Sequence, residues 1–456
     1  MLQQICAKIS ETIVSVLKSQ TKIEDNAICN PISYFNAIYR LQLGVLRAIA
    51  LENTGFEDAF PTALDFTTLE KEALGDFEKW FVQQNFGKVN LSDLYELMLL
   101  LEFPVRDEEI TADAEHLNSI GSFYTPPDLA DKIVEITVDN YIFQQLGIKR
   151  FSSSSKVNDE VAQVQELLLN STFADYSCGT GNFLLAILRY CSNHLNASQD
   201  FLQKIVLNFH AIEADALSLE IAKLQILEAV GDFSLDAELS PKFIHGNPLI
   251  APNEEYPEFD FCHETYYHNG LALQPEQIPV CDVVVGNPPW GTVGFELPNY
   301  FHLLCPKLNE LENENELEEA FEELSNTHPE LYCWFLNHDE AVDLSMEDIY
   351  NDDRFAHSTM GGLHTNVLFT ELCNSLCSAR GSVGLVLKGS TLSDPINKRL
   401  LNHLSSSNRF VSRYDLINCN GIFNINRTEE FSIVVLGNSS SKYLHRTGLT
   451  HLSEVD

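Results

Sequence analysis

The spacing of apolar residues divides the chain into a helical part and an alternating part. Within residues 1–118, apolar side chains recur every three or four positions, as at Ile9, Ile13 and Val16, and again along 93–100. That period predicts amphipathic helices. We expect residues 1–118 to form an amino-terminal helical domain, and we find no catalytic pattern in it.

Beyond a polar spacer at 152–160, the pattern changes to short apolar runs separated by helical periods. Strands that alternate with helices form parallel sheets with helices on both faces. We therefore predict an α/β fold over residues 119–456, with a doubly wound, mostly parallel, seven-stranded Rossmann-like sheet. The predicted strands are 172–175, 205–213, 243–245, 283–285 leading to Asn287, 382–388, 411–418 and 430–436.

Two acidic insertions interrupt this pattern, near 250–279 and 295–360. Within the second, residues 308–325 contain eight glutamates and no basic residue. Such a run predicts a solvated helix or a disordered tract. The alternative is a surface that mimics DNA or contacts a partner.

The totals restrict the protein class. The chain has 456 residues, 45% of them hydrophobic, which is enough for two or three domains. Its amino terminus has no secretory segment and no apolar run approaches 18 residues, so we expect a cytoplasmic protein with no membrane contact. The 11 cysteines lack metal-ligand spacing, so we expect reduced thiols and no metal.

The net charge of −38 is unfavourable for a protein that binds nucleic acid alone. The charge is uneven along the chain. Residues 380–456 contain nine basic and six acidic residues, a net charge of +3, so residues 1–379 carry −41.

The loop after the fourth strand has the most distinctive chemistry. There the apolar run 283–285 ends at Gly286 and is followed by Asn287-Pro288-Pro289-Trp290. Two prolines make this loop stiff, and open α/β sheets place their chemistry at the carboxyl ends of strands. One amide, two proline carbonyls and a flat ring suit a planar amine, which needs two acceptors and a stacking surface.

The ends of the first three strands suggest a nucleoside site. Gly179 and Gly181 follow the first strand, Glu213 ends the second, and Asn247 follows the third. Glycines allow close backbone approach, and a carboxylate at Glu213 can accept both ribose hydroxyls. Asn247 can pair with an adenine edge. The glycine loop has no basic residue for a pyrophosphate, so these positions, with Asp175 near an amino group, describe an S-adenosylmethionine site.

Upstream, Gly-Ser-Phe-Tyr-Thr-Pro-Pro-Asp at 121–128 precedes a helical period. Thr125 is the expected N-cap there, and Asp128 completes a capping box. That pattern alone explains a structural helix start. The exposed N–H groups of such a start can also bind a carboxylate.

With these motifs in this order, residues 118–436 resemble the N6-adenine DNA methyltransferases of the amino-group class. The resemblance rests on 121–128, Asp-Tyr-Ser-Cys-Gly-Thr-Gly-Asn-Phe at 175–183, Glu213, Gly-Asn-Pro-Leu at 246–249, Asn-Pro-Pro-Trp at 287–290, and the helix at 366–372 with the strand after it. The order is that of type I modification subunits and fused restriction–modification enzymes. The resemblance implies the methyltransferase form of the Rossmann-like sheet.

The resemblance also implies the roles of single residues. The Asn287 side-chain oxygen and the Pro288 carbonyl would accept the two hydrogens of adenine N6, and Trp290 would stack on a base turned out of the duplex. Phe423 is a candidate for the other face of that base, although a core aromatic residue is an equally good interpretation. The catalytic loop is Asn287, Pro288, Pro289 and Trp290. The implied residues of the S-adenosylmethionine site are Tyr124 and Thr125 near the methionine carboxylate, with Asp175, Cys178, Gly179, Gly181, Asn182, Phe183, Glu213, Ala214, Asn247 and Pro248.

The sequence departs from the family pattern at three points. Tyr176 stands where proline is usual, which we expect to change loop stiffness more than chemistry. Asn247 stands where an acid is common. The chain ends soon after the last predicted strand, with no room for a recognition domain, so we expect a separate DNA-recognition subunit unless the sequence is truncated.

Two other functions stay open at this stage. Protein-glutamine methyltransferases also use Asn-Pro-Pro followed by an aromatic residue, because a glutamine amide is likewise a conjugated planar amine. The third possibility is a non-catalytic, cofactor-binding subunit of a phage-defence complex. Intact Asn287 and Trp290 disfavour that possibility.

Overall fold

The computed structural model describes residues 1–56, 60, 66–106, 108–112, 125–153, 158–255, 271–294, 298–311, 313–423, 426–438 and 443–455. The chain forms two units. The first contains residues 1–120, 253–269 and 294–345, and the second contains residues 121–252, 270–293 and 346–456.

Helices and strands are numbered in chain order. The helices are α1 Leu2–Gln20, α2 Pro31–Thr54, α3 Thr68–Gln84, α4 Leu91–Met98, α5 Pro127–Leu146, α6 Asn158–Leu169, α7 Asn182–Leu195, α8 Gln199–Val206, α9 Ala216–Val230, α10 Asp236–Leu239, α11 Pro298–Leu304, α12 Pro306–Asn309, α13 Glu314–Thr327, α14 Pro329–Asn351, α15 Thr365–Ser375 and α16 Lys398–Ser406. The strands are β1 Ile23–Glu24, β2 Ala27–Ile28, β3 Val105–Arg106, β4 Glu109–Ile110, β5 Phe173–Asp175, β6 Phe209–Glu213, β7 Phe243–His245, β8 Cys281–Gly286, β9 Cys377–Lys388, β10 Phe410–Ile417, β11 Glu430–Leu436 and β12 Leu444–Leu449.

The first unit is built on the helices expected from the sequence. Ile5, Ile9 and Ile13 on α1 are fully buried, and α1 packs against α2 and α3. The starts of these helices follow local chemistry: Asn30 caps α2, and Thr67 forms a capping box with Glu70 on α3. Two short antiparallel hairpins, β1–β2 and β3–β4, complete the unit.

The acidic insertion contributes residues 294–345 to this first unit. α13 has the solvated helical form expected for the glutamate run, with Leu324 its one buried side chain in the described part. Aromatic packing explains why this part of the insertion belongs to the first unit. Trp334 of α14 stacks on Phe35 of α2, with 5.4 Å between the ring centroids. Most of the other insertion, residues 256–270, lies outside the described residues.

The second unit confirms the expected doubly wound α/β sheet. Its strand order is β12-β10-β11-β9-β8-β5-β6-β7, and all neighbours are parallel except those of β11, which is antiparallel to β9 and β10. Phe173 of β5 and Val283 to Val285 of β8 are buried, as expected of strands covered on both faces.

The sheet differs from the sequence-based prediction in the start of β9, which was predicted at 382 and lies at Cys377, and at two further places. Among the described residues the sheet has eight strands and not seven, because β12 pairs with β10 at the edge. β12 was missed because four of its six residues are exposed and carry no apolar pattern. The second predicted strand, 205–213, is also too long, since β6 begins at Phe209 and the preceding apolar run belongs to α8.

Two further findings concern the whole described chain. None of the helices in the described ranges is long and apolar enough to cross a membrane. Ten cysteines fall in these ranges, and all ten are free thiols, as the scattered spacing predicted.

Candidate active site

The candidate site lies where the strand order changes direction. β5 pairs with β6 on one side and with β8 on the other, and the chain reaches β6 and β8 by connections that lead to opposite sides. The carboxyl ends of such strands flank a crevice in which open α/β sheets bind ligands. Asp175 ends β5, Glu213 ends β6, and Asn287 follows β8, so the topology brings all three to one edge.

Asp175 carries the clearest sign of a binding function. Its side chain is 1% exposed, its Oδ1 accepts the Ser177 N–H at 3.1 Å, and its Oδ2 has no hydrogen-bond partner among the described residues. Burial raises the pKa of this carboxyl to about 8, and the nearby Glu213 adds to the rise. A buried carboxyl oxygen without a partner is costly, which is expected where a ligand supplies the partner.

Gly286 explains how Asp175 fits against the next strand. A Cβ placed on Gly286 would lie 2.9 Å from Asp175 Oδ1, closer than real Cβ contacts allow. The glycine that ends β8 therefore makes room for the carboxyl that ends β5. This contact connects the expected cofactor side of the crevice to the start of the Asn-Pro-Pro-Trp loop.

Glu213 holds the glycine loop in place. Its Oε2 accepts the Gly179 N–H at 2.7 Å, and its Oε1 accepts the Asp215 N–H at 3.1 Å. Burial raises the pKa of Glu213 to about 7, and the charge of Asp215 adds to the rise. A carboxylate has about four acceptor sites, so binding the loop is compatible with accepting a ribose hydroxyl.

The backbone and its packing alone explain why position 181 is a glycine. Its φ is +89°, and a Cβ there would lie 2.9 Å from the Cβ of Ala222 on α9. Glycine is therefore required both by the backbone conformation and by the close approach of the helix. Cys178 and Phe183, at 5% and 3% exposure, belong to the hydrophobic core, so their side chains pack inside the protein.

The Tyr-Thr-Pro-Pro segment approaches the glycine loop through the first residue of α7. Asn182 Nδ2 donates to the Thr125 carbonyl at 2.9 Å, and Thr125 is 5% exposed. The predicted N-cap is wrong: α5 begins at Pro127 and is capped by Pro126, with no side-chain hydrogen bond. The extended ψ of 144° at Pro126 moves the cap one residue beyond the Thr125 hydroxyl. Tyr124 lies outside the described residues.

Hydrogen bonds within the turn after β7 and to neighbouring segments hold this turn in place. Asn247 is 6% exposed, and its Oδ1 accepts the Leu249 N–H at 3.0 Å. The Pro248 carbonyl accepts from Arg354 Nη1 at 3.1 Å. Ala214, at the end of β6, accepts from His245 through its carbonyl. Recognition of an adenine edge by Asn247 stays a prediction, and it would use the remaining lone pair of its amide oxygen.

The Asn-Pro-Pro-Trp loop is held by contacts within the loop and by α15. Trp290 Nε1 donates to Asn287 Oδ1 at 3.0 Å, which orients the amide. Thr365 Oγ1 lies 2.7 Å from the Pro289 carbonyl. Among the described residues none donates to the Pro288 carbonyl. Thr365 thus occupies one acceptor site of the Pro289 carbonyl, and the Pro288 carbonyl is the candidate acceptor for a planar amine.

Trp290 and Phe423 were expected on opposite faces of a base, with a core role for Phe423 as the alternative, and the structure places the two rings in direct contact. Their ring centroids are 5.5 Å apart and the planes meet at 68°, an edge-to-face pair. Both are buried, at 8% and 2% exposure, and Phe423 also packs edge-on against Phe431. The two rings leave no gap for a base between them in this conformation. A stacking role for Phe423 therefore requires the rings to separate.

Three contacts of the candidate site have no signal in the sequence. Thr365 and Arg354 lie in a stretch without a motif, and their partners are backbone carbonyls more than 70 residues away. Tyr176 was expected to alter loop stiffness more than chemistry. Its hydroxyl donates to the Pro279 carbonyl at 2.5 Å, which connects the glycine loop to the residues before β8. Within the described ranges, no group of side chains could hold a metal ion.

Comparisons with known proteins give no family. No protein-family model and no curated protein matches the chain. Several solved structures do, among them a candidate class I S-adenosylmethionine-dependent methyltransferase from Listeria monocytogenes, with 12% identity, TM-score 0.43, and coverage of 100% of this chain and 95% of that one. The type I restriction–modification methyltransferase subunit from Streptococcus thermophilus has 15% identity and a TM-score of 0.42, and the match covers 95% of this chain and 71% of that one. The DrdV–DNA complex has 11% identity and a TM-score of 0.49, and the match covers 98% of this chain and 41% of that one. At these scores we draw no functional conclusion from the matches.

Proposed function

We propose that this chain transfers a methyl group from S-adenosylmethionine to the N6 amine of adenine in DNA, as the modification subunit of a cytoplasmic restriction–modification or phage-defence system. The observation that carries the proposal is the pairing of two features on adjacent strands. Asp175, whose buried Oδ2 has no hydrogen-bond partner among the described residues, ends β5, and the Asn-Pro-Pro-Trp loop follows β8, with Gly286 packed against Asp175.

The residues present fit the proposed cofactor. An ammonium group supplies the donor that Asp175 Oδ2 lacks, and ribose hydroxyls suit the remaining lone pairs of Glu213. Gly179 and Gly181 have positive φ and bring backbone to the crevice. When bound, S-adenosylmethionine supplies an electrophilic methyl on a sulfonium. Asp175, Glu213 and the turn at Asn247 would hold the methionine amine, the ribose and the adenine respectively.

The acceptor side follows from the chemistry of the amine. The lone pair of an exocyclic adenine amine is delocalised into the ring, so the amine is a poor nucleophile. Asn287 Oδ1 and the Pro288 carbonyl would accept its two hydrogens and draw the nitrogen toward tetrahedral geometry. The Trp290 N–H orients the amide by donating to Asn287 Oδ1, and the amine would use a second acceptor site of that oxygen. Preorganised acceptors of this kind lower the barrier without reorganising during the reaction.

Charge explains why we also propose a separate DNA-recognition subunit. Apart from residues 380–456, which carry +3, the chain carries −41. Phosphate contacts supply most non-specific DNA affinity, and an acidic protein lacks them. A partner with a basic surface would provide the sequence specificity and most of the affinity.

An acceptor competition tests the proposal. Purified protein is incubated with methyl-labelled S-adenosylmethionine, unmethylated genomic DNA and a protein extract in one reaction. We expect the label in DNA. Label in protein alone would contradict the DNA proposal and favour glutamine methylation. Cofactor binding without transfer, with partner subunits present, would indicate a non-catalytic subunit.

A further inference from the structure

Residues 352–365, here called the strap, reach both sides of the candidate active site. At the cofactor side, Arg354 Nη1 donates to the Pro248 carbonyl at 3.1 Å. At the acceptor side, Thr365 Oγ1 lies 2.7 Å from the Pro289 carbonyl and 2.9 Å from the Gly291 carbonyl, so its one proton is shared between them. One short segment thus contacts both loops that the proposed reaction must align.

The acceptor loop depends on this contact because of its prolines. Pro288 and Pro289 have no N–H, so the loop can be held only through its carbonyls and its flanking residues. Besides the Thr365 hydroxyl, the Thr365 N–H donates to the Gly291 carbonyl at 3.0 Å, and the Val293 N–H donates to the Leu363 carbonyl at 2.7 Å. Thr365 is 7% exposed, so water does not compete for these bonds.

The middle of the strap is fixed to α15. Glu371 is 6% exposed and accepts from His357 Nδ1 at 2.6 Å, from Ser358 Oγ at 2.6 Å and from the His357 N–H. The His357 ring also stacks on His403 of α16, with 3.9 Å between ring centroids. These contacts hold the middle of the strap against α15 and α16.

We propose that Arg354 and Thr365 are positioning residues for the methyl transfer. Arg354 fixes the turn that would hold the cofactor, Thr365 fixes the loop that would hold the amine, and Glu371 fixes the distance between them. The inference rests on the proposed function. In-line transfer is sensitive to this separation, since a displacement of about 1 Å can cost roughly a hundredfold in rate.

Thr365 is tested with Thr365→Val, which keeps the side-chain shape and removes the hydroxyl. We expect kcat to fall roughly 10-fold or more, with the Kd for S-adenosylmethionine within twofold of wild type. Thr365→Ser should restore kcat. The matched control is Thr370→Val on the same helix, whose hydroxyl bonds only the Asn366 carbonyl and which should leave kcat unchanged.

Arg354 is tested on the cofactor side with Arg354→Met. We expect calorimetry to show a Kd for S-adenosylmethionine raised roughly 10-fold. Arg409→Met, at another half-buried arginine that bonds Asn374, is the control and should bind the cofactor like wild type. Equal losses of affinity in Arg354→Met and Thr365→Val would overturn the division of roles.

Amide exchange gives a readout that needs no methyl acceptor. In Thr365→Val the peptide covering 286–294 should exchange faster than in wild type, and in Thr370→Val it should not. Unchanged exchange and unchanged kcat in Thr365→Val would overturn the inference. Faster exchange and the Arg354 effect on cofactor affinity, without transfer to DNA by wild type when partner subunits are present, would support the strap and contradict the proposed function.

Discussion

At the residue scale, the site is defined by two polar side chains at strand ends, the buried Asp175 and the half-buried Asn287. Asp175 has a carboxyl oxygen with no partner among the described residues, and Asn287 has an amide oriented by Trp290. Buried polar atoms without partners are rare in natural proteins, and carboxyls with strongly shifted pKa values cluster at functional sites. Asp175 and Asn287 could be selected from the sequence because they end apolar runs. Their protonation and orientation could not, since both depend on neighbours distant in the chain.

The raised pKa of Asp175 predicts how stability varies with pH. Its folded value is about 8, against about 3.9 in an unfolded chain. The native state therefore holds a proton that the unfolded state releases between these values. This contribution to stability is fully present below about pH 4 and is lost as the pH rises toward 8.

Asp175→Asn should flatten this dependence, because the amide mimics the protonated acid and does not titrate. Urea unfolding of the cofactor-free protein at pH 5 and pH 8 measures the effect. We expect wild type to lose more stability than the variant over this interval. Parallel profiles would show that Asp175 is ionised in the folded protein.

Trp290 has two separable roles in this account, orienting Asn287 and stacking on the target base. Trp290→Phe removes the N–H and keeps an aromatic face. We expect kcat to fall roughly 2- to 10-fold, the loss of one hydrogen bond, with the Kd for S-adenosylmethionine unchanged. Trp290→Ala should lose far more activity. A Phe variant as inactive as the Ala variant would contradict the assignment of stacking.

At the scale of elements, strand prediction succeeded where an apolar run has clear ends and failed elsewhere. β7 and β11 were predicted at their observed bounds because apolar runs there end at polar or turn residues. β12 is an exposed edge and α8 runs into β6, so neither gives a distinct period. The strap was not predictable, because its role consists of contacts between distant segments.

The close packing of α9 against the glycine loop can be tested by substitution of Gly181. Gly181→Ala combines a φ of +89° with a Cβ 2.9 Å from Ala222. Gly231→Ala shares a positive φ, +61°, but meets only Gln199 at 3.5 Å, so it is the control. We expect Gly181→Ala to lower the free energy of unfolding by about 1–3 kcal/mol more than the control. Equal midpoints in urea would contradict the close packing.

At the scale of the whole molecule, charge separates chemistry from DNA binding. With a net charge of −38, the chain should bind a duplex of about 30 base pairs only weakly, with a Kd above roughly 10 µM at 150 mM salt. Fluorescence anisotropy measures this affinity. A partner subunit should lower the Kd and steepen its salt dependence. Submicromolar binding by the chain alone would contradict the need for a recognition subunit.

The most direct test of the central claim is the identity of the methylated nucleoside. DNA treated with the protein, S-adenosylmethionine and its partner subunits is digested and analysed by mass spectrometry, for wild type and for Asn287→Ala. The account predicts N6-methyladenine with wild type and its loss with Asn287→Ala, while both proteins bind the cofactor equally. Methylation of another base, or N6-methyladenine at wild-type levels with Asn287→Ala, would contradict it.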